Sequence, residues 1–380
     1  MEYRLDEMFD LQMGKTPSRN NPEYWNTKDN KWISIADLSK CGKYIDTTKE
    51  CISNKAVSES GIAQIPENTV IMSFKLSIGK TAITTESMYS NEAIISFRDK
   101  HIVEVLPEYL YYLVLSKDWS AGTNKAVMGK TLNKATLSKI KVNIYDISQQ
   151  HEVVDILDKV NNVILSRKQE LQKLDELVKS RFVEMFGSIS DDKKVSMSDV
   201  CLVITDGTHQ PPKFTSSGIP FLFVSNIVGN EITYDAEKYI SEETYAQLIK
   251  RTPIEIGDVL LSTVGSYGHP AVVKSNKPFC FQRHIAYLKP KTQLIDSCYL
   301  HGAILSLDVQ KQIEERVKGI AQKTLNLSEI RKLRLPLPPM RVQEQFAAFV
   351  EQVDKSKFAV QQALDKAQLL FDSLMQKYFG

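Results

Sequence analysis

The sequence predicts an α+β fold with an internal pseudo-two-fold repeat, in which two similar α/β lobes are separated by two long antiparallel helices that form a coiled coil. Three observations support this fold class. A long segment of the chain occurs twice, each copy carries an apolar stripe with coiled-coil spacing, and each copy follows a run of short strand-like segments with polar turns. Together they indicate the duplication of one lobe-plus-helix unit.

The duplicated segment begins at Thr131-Leu132-Asn133 and at Thr324-Leu325-Asn326, and it ends at Phe186-Gly187 and at Phe379-Gly380. The two copies align without a gap at an offset of 193 residues. Identical pairs in the alignment include Lys139/Lys332, Gln150/Gln343, Val160/Val353, Leu171/Leu364 and Ser180/Ser373. A period this long indicates a duplicated domain with its helix, because the repeats of solenoid proteins are much shorter.

Each copy predicts one long helix with a narrow apolar seam. Arg167 and Arg181 interrupt the seam in the first copy, and Lys357 interrupts it in the second. The apolar positions are Val153, Leu157, Val160, Ile164, Leu171, Leu174, Val178 and Met185 in the first copy, and Phe346, Val350, Val353, Val360, Leu364, Ala367, Phe371, Leu374 and Tyr378 in the second. A spacing that alternates between four and three residues is typical of coiled-coil packing.

The starts and ends of both helices are also marked. Asp146 and Gln149 form a capping arrangement, Pro338-Pro339 precede the second helix, and a glycine ends each copy. Helices of this length would extend roughly 55–60 Å at about 1.5 Å per residue. Because neither can bury its seam alone, we expect them to pair antiparallel about a pseudo-two-fold axis. The alternative, that each helix packs only on its own lobe, fits a narrow seam less well.

These patterns divide the chain into a first lobe at 1–145, a first long helix at 146–187, a second lobe at 188–338 and a second long helix at 339–380. Three strand-like runs and an amphipathic helix are expected in the first lobe, at 32–35, 70–74, 93–97 and 107–119. The second lobe repeats this order more loosely at 221–226, 259–262 and 282–286. The charged run 190–194 is expected to be a linker without a strand. The helices match better than the loops, which predicts a shared role for the helices and different recognition by the lobes.

Composition places the chain among ordinary soluble proteins of two or more domains, since it has 380 residues, of which 42% are apolar and 25% charged. No window approaches the run of about 18 apolar residues that spans a membrane. The N-terminal sequence does not resemble a signal peptide, so a cytoplasmic protein is expected. Five cysteines without C-x-x-C spacing indicate reduced thiols and no zinc site.

The net charge of +2 says little about partners, but the cations are clustered. The segments 119–145 and 259–295 contain lysines and arginines without an acid, and 316–334 contains a single acid, Glu329. Locally basic segments in a nearly neutral chain suit contacts with phosphate. For any single residue among them, a solvated lysine face is an equally good interpretation.

No motif predicts a catalytic or metal site. The Gly-Lys-Thr triplets at Gly14, Gly79 and Gly129 lack the glycine that a P-loop needs five residues before the Gly-Lys pair. The Asn-Pro-Pro-aromatic motif of amino-methyltransferases does not occur. The histidines of the second lobe lack the i, i+4 spacing of metal ligands, so hydrogen bonding to phosphate or base is the better interpretation for them.

Several motifs occur in a fixed order around the two long helices: Asp206-Gly207-Thr208-His209 with Pro211-Pro212, Ser262 to Gly268, Gln282-Arg283-His284-Ile285-Ala286, Lys323-Thr324-Leu325-Asn326-Leu327, and Leu335-Pro336-Leu337-Pro338-Pro339 with Gln343. With these motifs the whole chain resembles the specificity subunit of a type I restriction–modification system. The first copy departs from the pattern, because Gly14-Lys15-Thr16-Pro17 replaces the Asp-Gly-Thr-His loop and Asn143-Ile144-Tyr145-Asp146 replaces the prolines.

The resemblance implies two target-recognition domains, each reading one half of a split sequence in double-stranded DNA. It implies that the paired helices fix the spacer between the half-sites and dock two methyltransferase (M) subunits, which restriction/motor (R) subunits then join. The chain itself would be a non-catalytic subunit of a methyltransferase/endonuclease complex in phage defence. No cofactor is expected on this chain, whereas S-adenosylmethionine, ATP and Mg²⁺ are implied for the partner subunits.

The candidate DNA contacts lie in loops of both lobes. Arginine, lysine, asparagine and glutamine are expected to read base edges because their donors and acceptors match the major groove, and Arg283 with Gln282 are the best candidates in the second lobe. In the first lobe the corresponding candidates are Arg19, Lys75, Lys80 and Asn91. The full predicted set is Lys15, Thr16, Ser18, Arg19, Lys75, Ser77, Lys80, Asn91, Lys130, Asp206, Thr208, His209, Ser266, Tyr267, His269, Gln282, Arg283, His284 and Lys323. Within it, Thr208, His209, Ser266 and the lysines are expected on phosphate.

Two other functions remain open at this level. The chain could be the recognition subunit of a type II system in which methyltransferase and nuclease are fused, and separate genes for methyltransferase and motor subunits nearby would argue against that. It could instead be a protein scaffold that does not bind DNA. A complex that is insensitive to salt and has no affinity for duplex DNA would favour the scaffold.

Overall fold

A computed structural model describes the fold at residues 1–25, 27–75, 77–119, 123–126, 129–132, 134–319 and 322–380, with the backbone alone at 123–126 and 129–132. The chain forms two compact units: unit 1 contains Met1–Ser166 with Ala363–Gly380, and unit 2 contains Arg167–Gln362. Each unit therefore holds one lobe and a part of both long helices. No helix in the described ranges is long and apolar enough to cross a membrane.

The elements of unit 1 follow one another along the first lobe. They are β1 (Glu2–Arg4), α1 (Leu5–Met8), β2 (Phe9–Met13), β3 (Asn30–Ile33), α2 (Ile35–Leu38), β4 (Tyr44–Ile45), β5 (Glu50–Ile52), α3 (Asn54–Ser60), β6 (Val70–Ser73), β7 (Thr81–Thr84), β8 (Tyr89–Ser90), β9 (Ile94–Asp99), α4 (Pro107–Ser116), β10 (Thr123–Ala126), β11 (Gly129–Leu132), α5 (Lys134–Ser138) and β12 (Lys141–Asn143), followed by the long helix α6 (Ile147–Phe186).

Unit 2 repeats this order in the second lobe. Its elements are β13 (Lys194–Ser196), α7 (Met197–Val200), β14 (Cys201–Asp206), β15 (Ile219–Leu222), β16 (Tyr239–Ile240), α8 (Glu242–Leu248), β17 (Val259–Ser262), β18 (Pro270–Val272), β19 (Cys280–Phe281), β20 (Ile285–Pro290), α9 (Ser297–Leu305), α10 (Leu307–Arg316), α11 (Leu327–Ile330) and β21 (Arg334–Pro336), followed by the long helix α12 (Met340–Phe379).

The sheets of the two lobes have matching topology within the described residues. The order β2-β9-β6-β7 in unit 1, extended by β4, corresponds to β14-β20-β17-β18 in unit 2. A parallel pair, β3 with β8, corresponds to the parallel pair β15 with β19. The first strand of each lobe pairs antiparallel with its last strand, β1 with β12 and β13 with β21. The predicted pseudo-two-fold repeat of two α/β lobes is therefore confirmed.

Several local predictions were wrong at their edges. In the second lobe, β15 ends at Leu222 within the predicted run 221–226, and β20 begins only at Ile285 within the predicted run 282–286. Strand β3 ends at Ile33, because the Ser34 hydroxyl accepts a hydrogen bond from the Asp37 backbone and begins helix α2 instead. Helix α4 ends at Ser116, short of the predicted 119. The charged run 190–194 is not free of strand structure, since Lys194 begins β13, which pairs with β21.

The apolar seam of the long helices is buried as predicted. Every predicted seam position in α6 and α12 is buried or half-buried, including the cations Arg167, Arg181 and Lys357. Acids accommodate the cations: Arg167 pairs with Glu170 at 2.6 Å and Arg181 with Glu184 at 2.7 Å on the same helix, and Lys357 pairs with Asp175 of the other helix. A seam of heptads thus tolerates three charges because each reaches a carboxylate at the edge of the packed stripe.

The two long helices run antiparallel in each unit. In unit 2, Lys357 of α12 pairs with Asp175 of α6, while Phe346 lies 5.4 Å (ring centroids) from Phe182. Residue numbers therefore rise along one helix and fall along the other. In unit 1 the start of α6 shares a core cluster with Met375 near the end of α12. The predicted antiparallel pairing is confirmed.

A buried glutamine fixes the first turn of each long helix to its lobe. The Gln343 Nε2 donates to the carbonyl oxygens of Leu294 and Pro338 at 3.0 and 2.8 Å, and its Oε1 accepts from the Asp296 backbone at 2.9 Å. Gln150 makes the same three bonds in unit 1. Both glutamines are fully buried. Each one satisfies three backbone groups at the junction of helix and lobe.

An aromatic cluster holds the last turn of each long helix. Phe379, at the end of α12, lies 5.3 Å (ring centroids) from Tyr109 in unit 1. Phe186, at the end of α6, lies 4.9 Å from Tyr299 in unit 2. Tyr109 and Tyr299 are completely buried and each donates its hydroxyl to a backbone carbonyl of the terminal strand pair. Both ends of both helices are thus packed into a lobe.

Replacing Gln343 with leucine should destabilise unit 2. The substitution keeps an apolar side chain of similar size but leaves three buried backbone groups without a partner, which should lower the free energy of unfolding by about 3 kcal/mol. Thermal or urea unfolding of the purified chain measures this. Gln345→Leu is the matched control, because Gln345 lies on the same helix and is exposed. Equal unfolding midpoints for the two variants would contradict this role of Gln343.

Candidate nucleic-acid interface

The predicted DNA-contact loops of both lobes rest on the same backbone framework. The Gly14 and Gly207 backbones donate to the carbonyls of Ile94 and Ile285 at 3.1 and 3.2 Å. The residue after each glycine, Lys15 or Thr208, donates to the carbonyl of Ser90 or Phe281 at 2.8 and 3.0 Å. Lys15 and Thr208 therefore occupy corresponding positions, although the Gly14 and Asp206 loops differ in sequence.

Only glycine fits at the crossing point of these loops. A Cβ atom on Gly14 would lie 2.2 Å from the Ser90 carbonyl oxygen, and one on Gly207 would lie 2.2 Å from the Phe281 carbonyl oxygen. No side chain fits at such a separation without a backbone shift. The residue two positions after each glycine is Thr16 in unit 1 and His209 in unit 2, so these two side chains correspond.

A second loop pair corresponds just as closely. The Ser73 and Ser262 hydroxyls each accept a backbone hydrogen bond seven residues later, from Lys80 at 3.0 Å and from His269 at 2.9 Å. The preceding glycines have positive φ angles of +90° and +83°. The structure therefore brings Lys80 and His269, both predicted contacts, to the same place in the two lobes.

In unit 2, Asp206 organises two cations. Its carboxylate accepts from Arg251 Nη2 at 2.7 Å and lies 3.0 Å from His209 Nε2. The Asp206 side chain is only 15% exposed, whereas those of Arg251 and His209 are both 52% exposed. Arg251 and His209, with Thr208 and Gln247, line an open groove of about 260 Å³. Asp206 thus positions donors rather than facing solvent itself.

Arg251 was missed by the sequence reasoning. It follows helix α8, in a part of the second lobe that has no counterpart among the motifs compared between the two copies. No spacing in the sequence connects it to Asp206, which lies 45 residues earlier. An arginine that follows a helix does not by itself predict a functional site, so only the fold could reveal that Arg251 pairs with Asp206.

The turn after β19 presents Gln282, Arg283 and His284. Arg283 is exposed, its backbone donates to the Thr208 carbonyl at 3.0 Å, and its Nε lies 3.4 Å from His284 Nε2. Within the described residues its guanidinium forms no ion pair. Partial burial and the neighbouring Arg283 charge lower the pKa of His284, and burial lowers the pKa of His269, whose Nδ1 lies 3.2 Å from Asn230 Oδ1. Both rings are therefore neutral donors or acceptors at neutral pH.

Ser266, Tyr267 and Lys323 form a neighbouring surface of unit 2. The Gly265 backbone donates to the Lys323 carbonyl at 3.1 Å, which joins the two loops. Lys323 Nζ lies 3.4 Å from the Tyr267 hydroxyl and 3.8 Å from the Glu314 carboxylate. Ser266 and Lys323 are exposed and Tyr267 is half-buried, so all three can reach a ligand on this face.

In unit 1, Arg19, one of the predicted base contacts, is already paired with an acid. Arg19 forms a two-pronged ion pair with Glu50, at 2.6 and 3.0 Å, and its guanidinium carbon lies 3.7 Å from the Trp25 ring centroid. The hydrogen bond to Glu50 raises the pKa of Arg19 and lowers that of Glu50. Trp25 in turn donates to the Ser18 carbonyl at 3.1 Å. Arg19 thus stabilises the loop that carries it.

The other predicted contacts of unit 1 differ in exposure and in the hydrogen bonds that they already make within the lobe. Lys75 lies 5.4 Å from the Phe74 ring centroid and Lys80 is exposed. The Ser77 carbonyl accepts from the Ser73 hydroxyl. Asn91 Oδ1 accepts from the Ala93 backbone at 3.0 Å. Thr16 donates its hydroxyl to Glu92, and Lys15 Nζ donates to the Ser60 carbonyl. Lys130 lies in β11, where the side chain is outside the described residues.

Among the described residues, no cluster of three or more histidine, cysteine or acidic side chains could hold a metal ion. Burial raises the pKa of Cys201, Cys280 and Cys298 to about 12. Within the described residues, the polar side chains exposed on these loops can offer hydrogen bonds and charge to a ligand.

Comparison with known proteins identifies one family. The family model for the type I restriction modification DNA specificity domain matches twice, at residues 1–176 and 190–368. The MjaIX specificity subunit of Methanocaldococcus jannaschii, a type I restriction enzyme subunit, is 22% identical over 98% of this chain and 91% of its own length.

Solved structures have the same fold. The S subunit of a type I restriction–modification system from M. genitalium aligns over 100% of this chain and 96% of its own, with a TM-score of 0.56 and 11% identity. A chain from a structural study of complex assembly and conformational transition in a type I system aligns over 100% and 97%, with a TM-score of 0.58 and 18% identity.

Replacing Gly207 with alanine should distort the loop of Asp206 and His209. Its Cβ would overlap the Phe281 carbonyl oxygen, so the loop must move, at a cost of about 1–3 kcal/mol in stability. The thermal unfolding midpoint of the purified chain measures this cost. Gly229→Ala is the control, because its Cβ would meet nothing within 4 Å in the same lobe. A midpoint for Gly207→Ala as high as that of the control would show that the loop does not need this close approach.

Proposed function

The chain belongs to the family of type I restriction modification DNA specificity domains and is a non-catalytic specificity subunit; from this membership we propose that it reads a bipartite sequence in double-stranded DNA. The lobe at 1–145 reads one half-site and the lobe at 188–338 reads the other. The observation that carries this proposal is the duplicated loop framework, which presents different side chains on the same backbone in the two lobes. Because the proposed targets are chromosomal and phage DNA, we also propose that the chain acts in the cytoplasm.

In the second lobe, Arg283 and Gln282 read base edges. An arginine fork matches the O6 and N7 acceptors of guanine in the major groove. Arg283 is exposed and has no ion pair within the described residues, and its Nε lies toward His284 Nε2, so the Nη donors of its fork are available. Arg251, His209, Thr208 and Lys323 are neighbouring donors that suit phosphate oxygens, which supply most of the affinity and fix the register. Ser266, Tyr267, His269 and His284 complete this surface.

In the first lobe, Lys15, Lys75, Lys80 and Ser77 suit phosphate because their side chains are exposed or half-exposed. Thr16 and Ser18 lie on the same loop. Arg19 stays paired with Glu50 and orders the loop, so its contribution is indirect. Lys130 belongs to the basic segment at 119–145 and serves as a further phosphate contact.

The paired helices serve as a ruler and as the docking site for two methyltransferase subunits. Each helix has 40 residues, which corresponds to about 60 Å at about 1.5 Å per residue. Successive major-groove faces recur every ~34–36 Å, so helices of this length are long enough to span the distance between two such faces. Exposed apolar residues along them, among them Val163, Leu165, Phe358 and Leu369, suit contacts with other subunits.

In the assembled complex, restriction/motor subunits join this core. S-adenosylmethionine, ATP and Mg²⁺ belong to the partner subunits, which carry out methyl transfer, translocation and cleavage. The full-length relatives are subunits of type I systems, which favours this arrangement over a fused type II enzyme.

Arg283→Ala should relax sequence preference at one half-site only. The loss of one base-edge contact should reduce discrimination at a single position by about 1–3 kcal/mol, with the other half-site unchanged. Methylome sequencing of cells that express the chain with its methyltransferase subunits measures both half-sites at once. Lys213→Ala, an exposed cation of the same lobe outside the predicted contacts, is the control. Unchanged methylation specificity, or a change at both halves, would contradict the assignment of Arg283.

Lengthening both helices should lengthen the spacer. Four residues inserted after Ser166 in α6 and four after Gln362 in α12 extend each helix by about 6 Å, which is nearly two base-pair steps of about 3.4 Å. The recognised half-sites should stay the same while the spacer between them grows by one or two base pairs. An insertion in α6 alone is the control, because it shifts the antiparallel seam and should weaken assembly. A spacer of unchanged length in the doubly extended protein would show that the helices do not measure it.

A further inference from the structure

Glu92 in unit 1 occupies the place of Arg283 in unit 2. The flanking backbone bonds are the same: Asn91 and Gln282 donate to the carbonyls of Ile33 and Leu222, both at 3.1 Å. Two residues after Glu92 and after Arg283, Ile94 and Ile285 donate back to the carbonyls of Asn91 and Gln282, at 3.2 and 3.1 Å.

The strand that approaches this turn is also equivalent. Phe74 donates its backbone N–H to the carbonyl of Ala93 at 3.0 Å, and Thr263 donates to that of His284 at 2.9 Å. Asn91 and Ala93 therefore match Gln282 and His284. The residue between them is Glu92 in the first lobe and Arg283 in the second. Both side chains are exposed. The two lobes thus present opposite charges at one structural position.

We propose that Glu92 is a specificity-determining residue of the first lobe and accepts a hydrogen bond from the N4 amino group of a cytosine in the half-site. A carboxylate has only acceptors, and in the major groove cytosine offers an amino donor where guanine offers the acceptors O6 and N7. This inference rests on the proposed function, and it assigns opposite preferences to the corresponding positions of the two half-sites.

The neighbours of Glu92 keep its carboxylate charged and in place. Thr16, which corresponds to His209 of unit 2, donates its hydroxyl to one carboxylate oxygen, and that hydrogen bond lowers the pKa of Glu92. The charges of Lys75 and Arg19 act in the same direction. A hydrogen bond from the backbone N–H of Glu92 itself also lowers the pKa of the carboxyl group. Thr16 binds Oε2, and the side chain is exposed, so the carboxylate can still accept from a base.

The other forked side chains of this face are less free. Both prongs of Arg19 bind Glu50, and the Asn91 carboxamide oxygen accepts from the Ala93 backbone. The Asn91 oxygen is therefore already directed toward the backbone, which is less favourable for a two-pronged adenine contact. Glu92 is the exposed member of the Asn91–Glu92 turn, as Arg283 is in unit 2.

The test exchanges the two charges. Cells that express the complete chain with its methyltransferase subunits would carry Glu92→Ala, Glu92→Arg or Arg283→Glu, and the methylome would be sequenced. Glu92→Ala should reduce cytosine selection at one position of one half-site by about tenfold or more. Glu92→Arg should replace that C·G pair by G·C, and Arg283→Glu should make the reverse change in the other half-site. Glu67→Arg, an exposed acid elsewhere in the first lobe, should leave both half-sites unchanged.

The outcomes separate this inference from the proposed function. If the wild-type chain directs methylation to a bipartite target but the Glu92 variants keep its base preferences, Glu92 does not read a base. If the wild-type chain selects no bipartite target, the proposed function itself fails. Thermal unfolding of the purified variants, expected to match the wild type because residue 92 is exposed, distinguishes a lost contact from a lost fold.

Discussion

The fold depends on how firmly each long helix is held at both of its ends. At the start, a buried glutamine, Gln150 or Gln343, makes three hydrogen bonds to backbone groups of the lobe from which the helix emerges. At the C-terminal end of the helix, Phe186 or Phe379 packs into an aromatic cluster around a buried tyrosine. A carboxamide with fixed partners sets the direction of a helix, whereas apolar contacts alone would let it pivot. The seam between the helices can therefore form in one register.

The two loop frameworks can match while their side chains differ, because the backbone holds the loops in place. The loops are held by backbone hydrogen bonds and by glycines at the points of close approach, Gly14 and Gly207. Exposed side chains beyond these points contribute little to stability, since surface substitutions usually change it by less than about 0.5 kcal/mol. Glu92 and Arg283 can thus differ in charge without cost to the fold. The same backbone can present a different chemistry in each lobe.

The sequence predicted the long helices well because their seam repeats over many turns and each interruption is a single cation. It predicted the loop equivalence of the second lobe from Asp206, Ser262 and Gln282, which stand in a recognisable order. It could not predict that Glu50 occupies the donors of Arg19, or that Arg251 reaches Asp206, because both pairs join residues far apart in the chain. Such pairs are set by the fold of a lobe, and no local pattern encodes them.

The balance of charge favours discrimination over general affinity for DNA. The net charge is only +2, and Arg19, Arg251 and Lys323 each lie beside an acid. Release of counterions therefore supplies less affinity than a strongly basic surface would. An exposed carboxylate such as Glu92 increases the discrimination between bases. Phosphates and the acceptor edge of guanine repel the carboxylate, and only an amino donor offsets that repulsion. Such a residue selects a base that offers an amino donor mainly by rejecting guanine and thymine.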